Sequence, residues 1–551
     1  MIDPLLVRPN DEQVRKYRDL GLWRDESPPS DLRRWARETP DAIAITAQRG
    51  DSGIVHLTYA EYAEQVERFA AVLRELGVGP GQAVAIQLPN WWQVNALVLG
   101  CARLGATAAT IAPSVRPREL QRMLARLGSP VCVTVDRWAG FDHAAAVTEV
   151  ARQLPQLRHQ VVLGEHVGNG QVDLERLLEQ RSSAASDGDV DTSAEDPDSV
   201  GIVLFTSGTT GKPKGVLLTH NQWYAGLSQT ALRDGVTSAD VTFTPHVLTH
   251  AAGLAYGNLL PLQTGGRAVM TDSWQNESGT SLVEEVGVTY FCGHPGYVSA
   301  LVSEANKRNT RLPALRVVVA GGGSIPVKLG TDVHDAFGVV MQGGWAMTEV
   351  AAAIRTDPEL DPPDWSAHSD GRPSAALEID LRGAGDVISR ERPAELFVRG
   401  AGVALATIDR EIGEVVVLGE HDEGWYDTGD LAVPDGRGGI RVVGRAVDRI
   451  GVGWMIPAAD VEDALRGHPD IDDAALVGYG ENSDKPCAVV VARGALTIDQ
   501  VRDYLDAITM TEWYQPTRLE QVRALPRTST GKVQKELLRR WLRGEAELPP
   551  T

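Results

Sequence analysis

The residue types best suited to chemistry lie together in one short segment that runs from Thr206 to Lys214. Hydroxyl side chains, glycines and two lysines stand there between apolar runs at 200–205 and 216–218. Glycines let backbone N–H groups approach a polyphosphate, hydroxyls donate hydrogen bonds, and lysines neutralise charge. The segment therefore predicts a polyphosphate-binding loop between two buried strands, whose binding residues are Thr206, Ser207, Gly208, Thr209, Thr210, Lys212 and Lys214.

Two other kinds of loop have a similar composition. A P-loop needs four residues between its first glycine and Gly-Lys, followed by Ser or Thr. Here Gly208 and Gly211 are separated by two residues, and Pro213 follows Lys212, so the P-loop is excluded. A flexible Gly/Ser hairpin would account for the glycines but gives the two lysines no role.

Further segments of this kind follow along the chain. A short apolar strand at 316–320 runs into the glycine-rich turn Gly321-Gly322-Gly323-Ser324, and a strand at 339–341 leads into Gly343-Gly344-Trp345-Ala346-Met347-Thr348-Glu349. Three more segments end the series, at 424–430, 444–450 and 526–532. A glycine-rich turn after a strand is a weak signal alone, but the ordered set is specific.

In this order the segments resemble the motifs of the adenylate-forming superfamily, which includes acyl-CoA synthetases, aryl-acid ligases, adenylation domains of peptide synthetases and firefly luciferase. The resemblance runs from about residue 11 to residue 532 and implies where a nucleotide binds. The adenine ring would pack against the turn formed by Gly321, Gly322, Gly323 and Ser324. The aromatic nucleotide motif would consist of Gly344, Trp345, Ala346 and Met347.

The resemblance also implies roles for single residues around ATP. Thr348 would contact the α-phosphate, and Glu349 would hold Mg²⁺, a hard ion that prefers carboxylate oxygen. Asp430 would accept hydrogen bonds from the ribose hydroxyls, for which an acceptor-only carboxylate is suited. Arg445 would reach the ribose or phosphate region.

The last motifs are implied to belong to a mobile C-terminal part. Lys532 would bridge the acyl carboxylate and the α-phosphate during adenylation, and Asp448 would be the hinge. The loop after the hinge departs from the family pattern, because it is one residue shorter and contains Gly451, Gly453 and Trp454. In relatives this loop shapes the tunnel for the thiol, so the indole would either narrow that tunnel or form its wall.

The acyl pocket is marked by the segment from Pro245 to Gly253. It resembles the family stretch that carries an aromatic residue or histidine beside the acid. His250 is the better match and His246 the alternative. Because a lone histidine is more often structural than catalytic, His250 is predicted to be pocket wall rather than a base.

The resemblance implies an acyl-CoA ligase that uses ATP, Mg²⁺ and coenzyme A to activate a small-molecule carboxylic acid, which most resembles the cyclic or aromatic acids of cyclohexanecarboxylate-type ligases. One alternative is an enzyme of one half-reaction that works with a partner ligase in secondary metabolism. Others are a non-catalytic nucleotide-binding relative and an oxygenase of the luciferase kind, which shares every adenylation motif.

The elements that must position these residues alternate between strand and helix. Thr58 and Glu61 form a capping box before a helix, a strand follows at 84–88, a helix at 90–104 and a strand at 106–111. Such alternation predicts an α/β fold with a parallel sheet. The resemblance, with the motif order, implies a large N-terminal adenylation domain at 1–446 and a small, mobile α+β domain at 447–551. Residues 182–199 are predicted to be an exposed acidic loop.

Composition limits the classes of partner. The chain has 551 residues, and its formal net charge of −21 argues against nucleic acid or an anionic membrane as a partner. A nucleotide site must therefore be locally basic. The four cysteines are scattered without metal-ligand spacing, which favours buried reduced thiols in a cytoplasmic protein.

Overall fold

The computed structural model of the protein describes most of the chain, including the strands and helices around every predicted motif. The described residues are 4–50, 53–180, 192–206, 214–322, 325–326, 328–383, 388, 393–409, 413–445, 450, 456, 458–480, 484–526 and 533–548.

Strands and helices alternate through most of this length. The strands are β1 Ile43–Gln48, β2 Ile54–Thr58, β3 Ala83–Gln87, β4 Thr107–Thr110, β5 Val131–Val135, β6 Arg137–Trp138, β7 Phe141–Asp142, β8 His159–Leu163, β9 Val172–Asp173, β10 Val200–Thr206, β11 Lys214–Thr219, β12 Val241–Phe243, β13 Arg267–Thr271, β14 Tyr290–Gly293, β15 Val317–Gly321, β16 Gln342–Met347, β17 Val350–Arg355, β18 Glu378–Arg382, β19 Ala394–Arg399, β20 Ala406–Ile408, β21 Val415–Val417, β22 Tyr426–Pro434, β23 Ile440–Arg445, β24 Ile471–Tyr479, β25 Lys485–Ala492 and β26 Arg518–Gln521. The α-helices are α1 Asp11–Asp19, α2 Pro28–Glu38, α3 Tyr59–Glu75, α4 Trp92–Arg103, α5 Pro117–Leu127, α6 His143–Ala151, α7 Leu174–Glu179, α8 His220–Asp234, α9 Ala251–Leu254, α10 Leu260–Thr264, α11 Asn276–Val286, α12 Pro295–Arg308, α13 Leu329–Phe337, α14 Ala458–Arg466, α15 Ile498–Ala507 and α16 Lys535–Leu542.

Two large sheets form the N-terminal part. Within the described residues one sheet has the order β21-β20-β11-β10-β4-β3-β5-β8-β9 and the other β17-β16-β15-β14-β12-β13-β1-β2. Their central pairs are parallel, and α4 is buried from Val94 to Arg103 in a core that both sheets share. The predicted α/β fold class, with a smaller α+β domain after it, is confirmed.

Local predictions agree with these elements. The apolar run before the predicted phosphate-binding segment forms β10, whose first five residues are buried. Thr58 caps α3, with its side chain accepting from the Glu61 amide while the Glu61 carboxylate accepts from the Thr58 amide. This exchange satisfies two donors that a helix start leaves unpaired, which explains why the helix begins there.

A third sheet, of order β18-β19-β22-β23 among the described residues, carries the segment that ends in Asp430. A short crossing segment ties it to the second large sheet. Arg372 exchanges backbone hydrogen bonds with Arg355 at the end of β17, and Gly371 accepts one from Ile440 at the start of β23. The crossing segment therefore fixes the position of the third sheet relative to β17.

The C-terminal part has its own apolar core, formed by α14, α15 and the sheet β24-β25-β26. A buried hydrogen bond of 3.0 Å from Thr511 Oγ1 to Glu119 Oε2 of α5 joins it to the N-terminal part. The predicted boundary between residues 446 and 447 lies outside the described residues and stays a prediction.

The predicted exposure of the acidic loop at 182–199 is wrong at Glu195. Residues 182–191 lie outside the described residues, and Thr192 and Ser193 are exposed, but the Glu195 side chain is buried. Its carboxylate binds Arg33 at 2.6 Å and Arg103 at 2.8 Å, with 3% of the side chain exposed. The burial of an acidic residue is explained by these two guanidinium partners, which come from distant helices and leave no trace in the local sequence.

All four cysteines are free and buried, as predicted. Among the helices that the structure describes, none has both the length and the apolar composition needed to cross a membrane.

Replacement of Gly371 should destabilise the N-terminal part strongly. Gly371 has φ of +92°, and a Cβ there would lie 1.8 Å from the backbone carbon of Arg355. Gly371→Ala is expected to cost about 4 kcal/mol or more of unfolding free energy, because backbone on both sides must move.

The control is Gly436→Ala. Gly436 also has positive φ, +83°, but a Cβ there would have nothing within 4 Å. It should cost about 1–2 kcal/mol, the left-handed penalty alone. Equal losses in thermal or urea unfolding would contradict the packing argument.

Candidate active site

One cavity of about 370 Å³ collects most of the described residues that the motifs predicted. It opens at the carboxyl ends of β14, β15 and β16, where ligands bind in parallel sheets. The predicted residues that line it are Thr206, Lys214, His250, Gly321, Gly322, Gly344, Trp345, Ala346, Met347, Thr348 and Glu349, together with the alternative His246.

The polar end of the cavity is built on the turn between β16 and β17. Met347 pairs with Val350, so Thr348 and Glu349 form the tip of this hairpin. The Glu349 carboxylate is in ion-pair contact with the Lys214 ammonium, and both side chains are mostly buried, at 7% and 17% exposed. Lys214 Nζ also lies 3.4 Å from the Tyr426 hydroxyl. A partly buried ammonium here can bind phosphate oxygens, because screening by water is weak.

The same end fits a magnesium ion bound with a nucleotide. Magnesium is commonly held by one or two carboxylates plus substrate phosphates rather than by a cage of protein ligands. Glu349 supplies such a carboxylate on the cavity wall. The described residues contain no cluster of three or more His, Cys, Asp or Glu that could hold a metal without a substrate. The residues that are present therefore suit an ion that arrives with ATP.

Asp430 lies just behind the cavity wall. The Trp345 indole N–H donates to its carboxylate at 2.8 Å, and Asp430 is 3% exposed. The preceding residues 426–429 line the cavity, and the Asp430 backbone pairs with Arg445 across β22 and β23. The structure thus brings the predicted aromatic motif and the predicted ribose acceptor into direct contact. Their predicted roles toward a nucleotide stay predictions.

The wall away from the polar end is mostly apolar, and small residues form much of it. Trp223 and Leu227 of α8 and Tyr256 also belong to it; the small residues are Ala251, Ala252, Ala255, Gly293, Ala351 and Ala353. Tyr256 lies in a π-helical turn, Ala255–Leu259, that follows α9. Turns of this kind contain one extra residue and are frequent at functional sites.

Two histidines stand side by side in the wall. The rings of His246 and His250 are stacked with centroids 5.9 Å apart, and both line the cavity. Burial, and then the neighbouring His250 and His294, lower the pKa of His246 to about 3. His246 is therefore neutral at physiological pH. The prediction that His250 is wall rather than base stays a prediction.

At the inner end, Arg355 closes the apolar part of the cavity. Its guanidinium binds Asp234 at 3.0 Å and the Tyr290 hydroxyl at 2.9 Å. The sequence analysis did not find Arg355, Asp234 or Trp223. The sequence signal that could have found Arg355 is the alternation in β17, where alanine at 351 and 353 and arginine at 355 share one face.

Several predicted site residues lie outside the described residues. They are Ser207, Gly208, Thr209, Thr210, Lys212, Gly323, Ser324, Asp448, Gly451, Gly453, Trp454 and Lys532. For Arg445 the structure describes the backbone position, opposite Asp430.

Two family models match the chain. The model described as "AMP-binding enzyme" matches residues 32–406, and the model described as "AMP-binding enzyme C-terminal domain" matches residues 460–532.

Individual proteins are similar to this chain along nearly its whole length. The medium-chain fatty-acid–CoA ligase of Escherichia coli is 29% identical over 541 residues, which cover 96% of this chain and 93% of the relative. The salicylyl-CoA synthase / salicylate adenylyltransferase of a Streptomyces species is 29% identical over 551 residues and covers 97% of each. The apo structure of MbtA from Mycobacterium smegmatis is 27% identical, with a TM-score of 0.69 and coverage of 97% of this chain and 98% of that one.

The buried His246 should make stability depend on pH. Its pKa is about 3 in the folded chain and about 6.5 when unfolded, so between these values the unfolded state binds the proton first. Free energy of unfolding is therefore expected to fall as pH falls from about 6.5, by at most ~1.4 kcal/mol per pH unit from this group.

His246→Gln should make the slope of unfolding free energy between pH 6 and pH 4 shallower. The matched control, His334→Gln at an exposed position of α13, should keep the wild-type slope. Urea unfolding at several pH values measures both. Identical slopes for the two variants would show that His246 is not the buried neutral group described.

Proposed function

Because the chain belongs to the AMP-binding enzyme family, we propose that it is an acid:CoA ligase that activates a bulky cyclic or aromatic carboxylic acid. Its predicted enzyme class, an AMP-forming acid–thiol ligase, is that of the CoA ligases among its relatives. The observation that carries the proposal is the two-ended cavity. One end places the Lys214 ammonium and the Glu349 carboxylate together, and the other is an apolar space between alanines.

In the first half-reaction the acid's carboxylate oxygen attacks the α-phosphorus of ATP. The bond to the β,γ-phosphates breaks, which gives the acyl-adenylate and pyrophosphate. Lys214 and Thr348 bind phosphate oxygens, and Lys532 offsets the charge between the acyl carboxylate and the α-phosphate. Glu349 would hold Mg²⁺, which neutralises phosphate charge when it is bound. No nucleophilic side chain takes part, because positioning and electrostatics lower the barrier.

In the second half-reaction the thiolate of coenzyme A attacks the acyl carbonyl carbon. The bond to AMP breaks, and the thioester and AMP are the products. The small domain turns about Asp448 between the steps, which withdraws Lys532 and brings up the loop with Gly451, Gly453 and Trp454.

The shape of the apolar end supports the substrate class. Alanines at five wall positions leave room for a ring where larger side chains would leave a narrow channel. The name of the Streptomyces relative assigns it an aromatic acid, salicylate. Most of the binding energy would come from burial of the ring, at about 25 cal/mol per Å² of apolar surface.

Two assays on the same acid separate this function from its alternatives. Pyrophosphate exchange together with thioester formation supports the full ligase. Exchange without a CoA thioester points to an enzyme of the first half-reaction that hands the acyl group to a partner or to another thiol. Thioester formation from a supplied acyl-adenylate alone points to the second half. Absence of both activities across a broad acid panel would contradict the proposal.

Lys532→Ala should separate the two half-reactions. Acid-dependent ATP–pyrophosphate exchange is expected to fall by ~10²–10³ or more, because charge on the departing pyrophosphate is no longer offset. Conversion of a supplied acyl-adenylate to the thioester should remain near the wild-type rate. Lys485→Ala, at an exposed lysine of β25, is the control and should leave both rates intact. Unchanged exchange in Lys532→Ala would remove this lysine from the mechanism.

Glu349→Gln should affect the first half-reaction by a different route. The amide keeps the shape of the side chain but gives Mg²⁺ a poorer ligand and removes the partner of Lys214. We expect exchange to fall about 10²-fold, with partial recovery at higher magnesium concentration. Glu359→Gln, at an exposed position, is the matched control. A loss that does not respond to magnesium would argue against metal binding by Glu349.

A further inference from the structure

The inner end of the cavity carries charge where an apolar acid pocket needs none. The side chains of β17 alternate, so that Ala351, Ala353 and Arg355 face the cavity in succession. The two alanines leave the path down the strand open. An acid that enters from the polar end and passes them therefore reaches Arg355.

Arg355 is deeply buried, with 1% of its side chain exposed. Nη2 donates to Asp234 at 3.0 Å and Nη1 to the Tyr290 hydroxyl at 2.9 Å. Nε has no acceptor among the described residues. Trp223, on the same cavity wall, likewise has an indole N–H without an acceptor in the described part of the chain. Two buried donors on residues of the cavity wall are therefore left without a partner among the described residues.

The single carboxylate that Arg355 contacts is heavily shared. Asp234 also binds Arg233 at 3.2 Å, accepts from the Tyr290 hydroxyl at 2.7 Å and accepts from Gln342 at 3.1 Å. Two guanidinium groups thus meet one carboxylate, which leaves this cluster with one positive charge in excess. Burial and then Arg355 lower the pKa of Arg233, in agreement with crowded positive charge.

Arg233 keeps 23% of its side chain exposed to water, whereas Arg355 has 1%. A buried charge that shares its counter-charge, as Arg355 does, is costly unless something compensates it. The cavity is the side from which a compensating group can come, since Arg355 forms part of its wall. Because the guanidinium is almost fully shielded from water, its attraction for an oxygen in the cavity is weakly screened. An acid with a purely apolar far end would leave Arg355 with the shared Asp234 carboxylate as its counter-charge.

We propose that the acid carries an acceptor oxygen at the end remote from its reacting carboxylate, and that Arg355 recognises this oxygen. The inference rests on the proposed function and narrows its substrate class to ring acids with a distal hydroxyl, ketone or second carboxylate. Arg233 strengthens the attraction from behind Asp234 and favours the ionised form of acceptor.

The test compares matched acids in the ATP–pyrophosphate exchange assay. A one-ring series contains 4-methyl-, 4-hydroxy-, 4-oxo- and 4-carboxycyclohexanecarboxylic acid, and a longer series contains 6-methyl-, 6-hydroxy- and 6-carboxy-2-naphthoic acid. In at least one series, kcat/KM for an acceptor acid should exceed that of the methyl acid tenfold or more, as expected for a hydrogen bond to a charged group. The three acceptors identify which oxygen is preferred.

Two variants locate the effect. Arg355→Lys keeps a charge but loses the planar fork, and should reduce the acceptor-to-methyl ratio at least fivefold. Arg233→Met, at a position with 23% of its side chain exposed, should lower the ratio for the dicarboxylic acids at least threefold. Arg311→Met, an exposed arginine before β15, is the control and should keep every ratio.

The outcomes separate the two proposals. Methyl acids activated as well as acceptor acids in both series would overturn the inference and leave the ligase function standing. An acceptor preference that neither Arg355→Lys nor Arg233→Met changes would also overturn it, because the oxygen would then bind elsewhere. If no acid of either series or of a broad panel supports ATP–pyrophosphate exchange, the ligase function is overturned, and the inference with it.

Discussion

The antiparallel pairing of β16 with β17 fixes both ends of the cavity. Its turn holds Thr348 and Glu349 beside Lys214, and the far end of β17 holds Arg355 opposite Gly344. The glycine is required by this pairing, since a Cβ at Gly344 would lie 2.7 Å from Arg355 Cγ. Because side chains alternate along a strand, a slip of one residue would point Arg355 away from the cavity. One hairpin register therefore sets the distance between the polar end of the cavity and its inner end.

Positive side chains lie at the cavity although the chain as a whole is negatively charged. The whole chain has a formal net charge of −21, yet positive side chains meet the cavity at each end. Lys214 is balanced by Glu349, a group that can exchange one partner for another when a nucleotide binds. Arg355 is balanced in part by Asp234, which is fixed by four donors. The first pair suits a substrate that comes and goes, and the second suits a rigid recognition surface.

The sequence alone was sufficient to predict those elements that depend on residues close together in the chain. The Thr58 capping box and the apolar run that became β10 are local patterns, and each predicted its element. It did not predict contacts between side chains that are far apart in the chain. The Arg355–Asp234 contact spans 121 residues, and Glu195 is buried by arginines from other helices. Composition alone made the segment around Glu195 resemble solvent-exposed loop, because pairing across the fold does not appear in a local window.

The π-helical turn at Ala255–Leu259 gives the cavity a means of variation that leaves the sheets untouched. Loss of one residue there would restore an ordinary helix and rotate the preceding wall residues by about 100° relative to α10. Tyr256 would leave the wall, and the space beside Cys292 would change shape. In the proposed ligase, a single-codon deletion in this turn would thus change the acid preference in one step, while the hairpin that carries the predicted phosphate-binding groups is inherited intact.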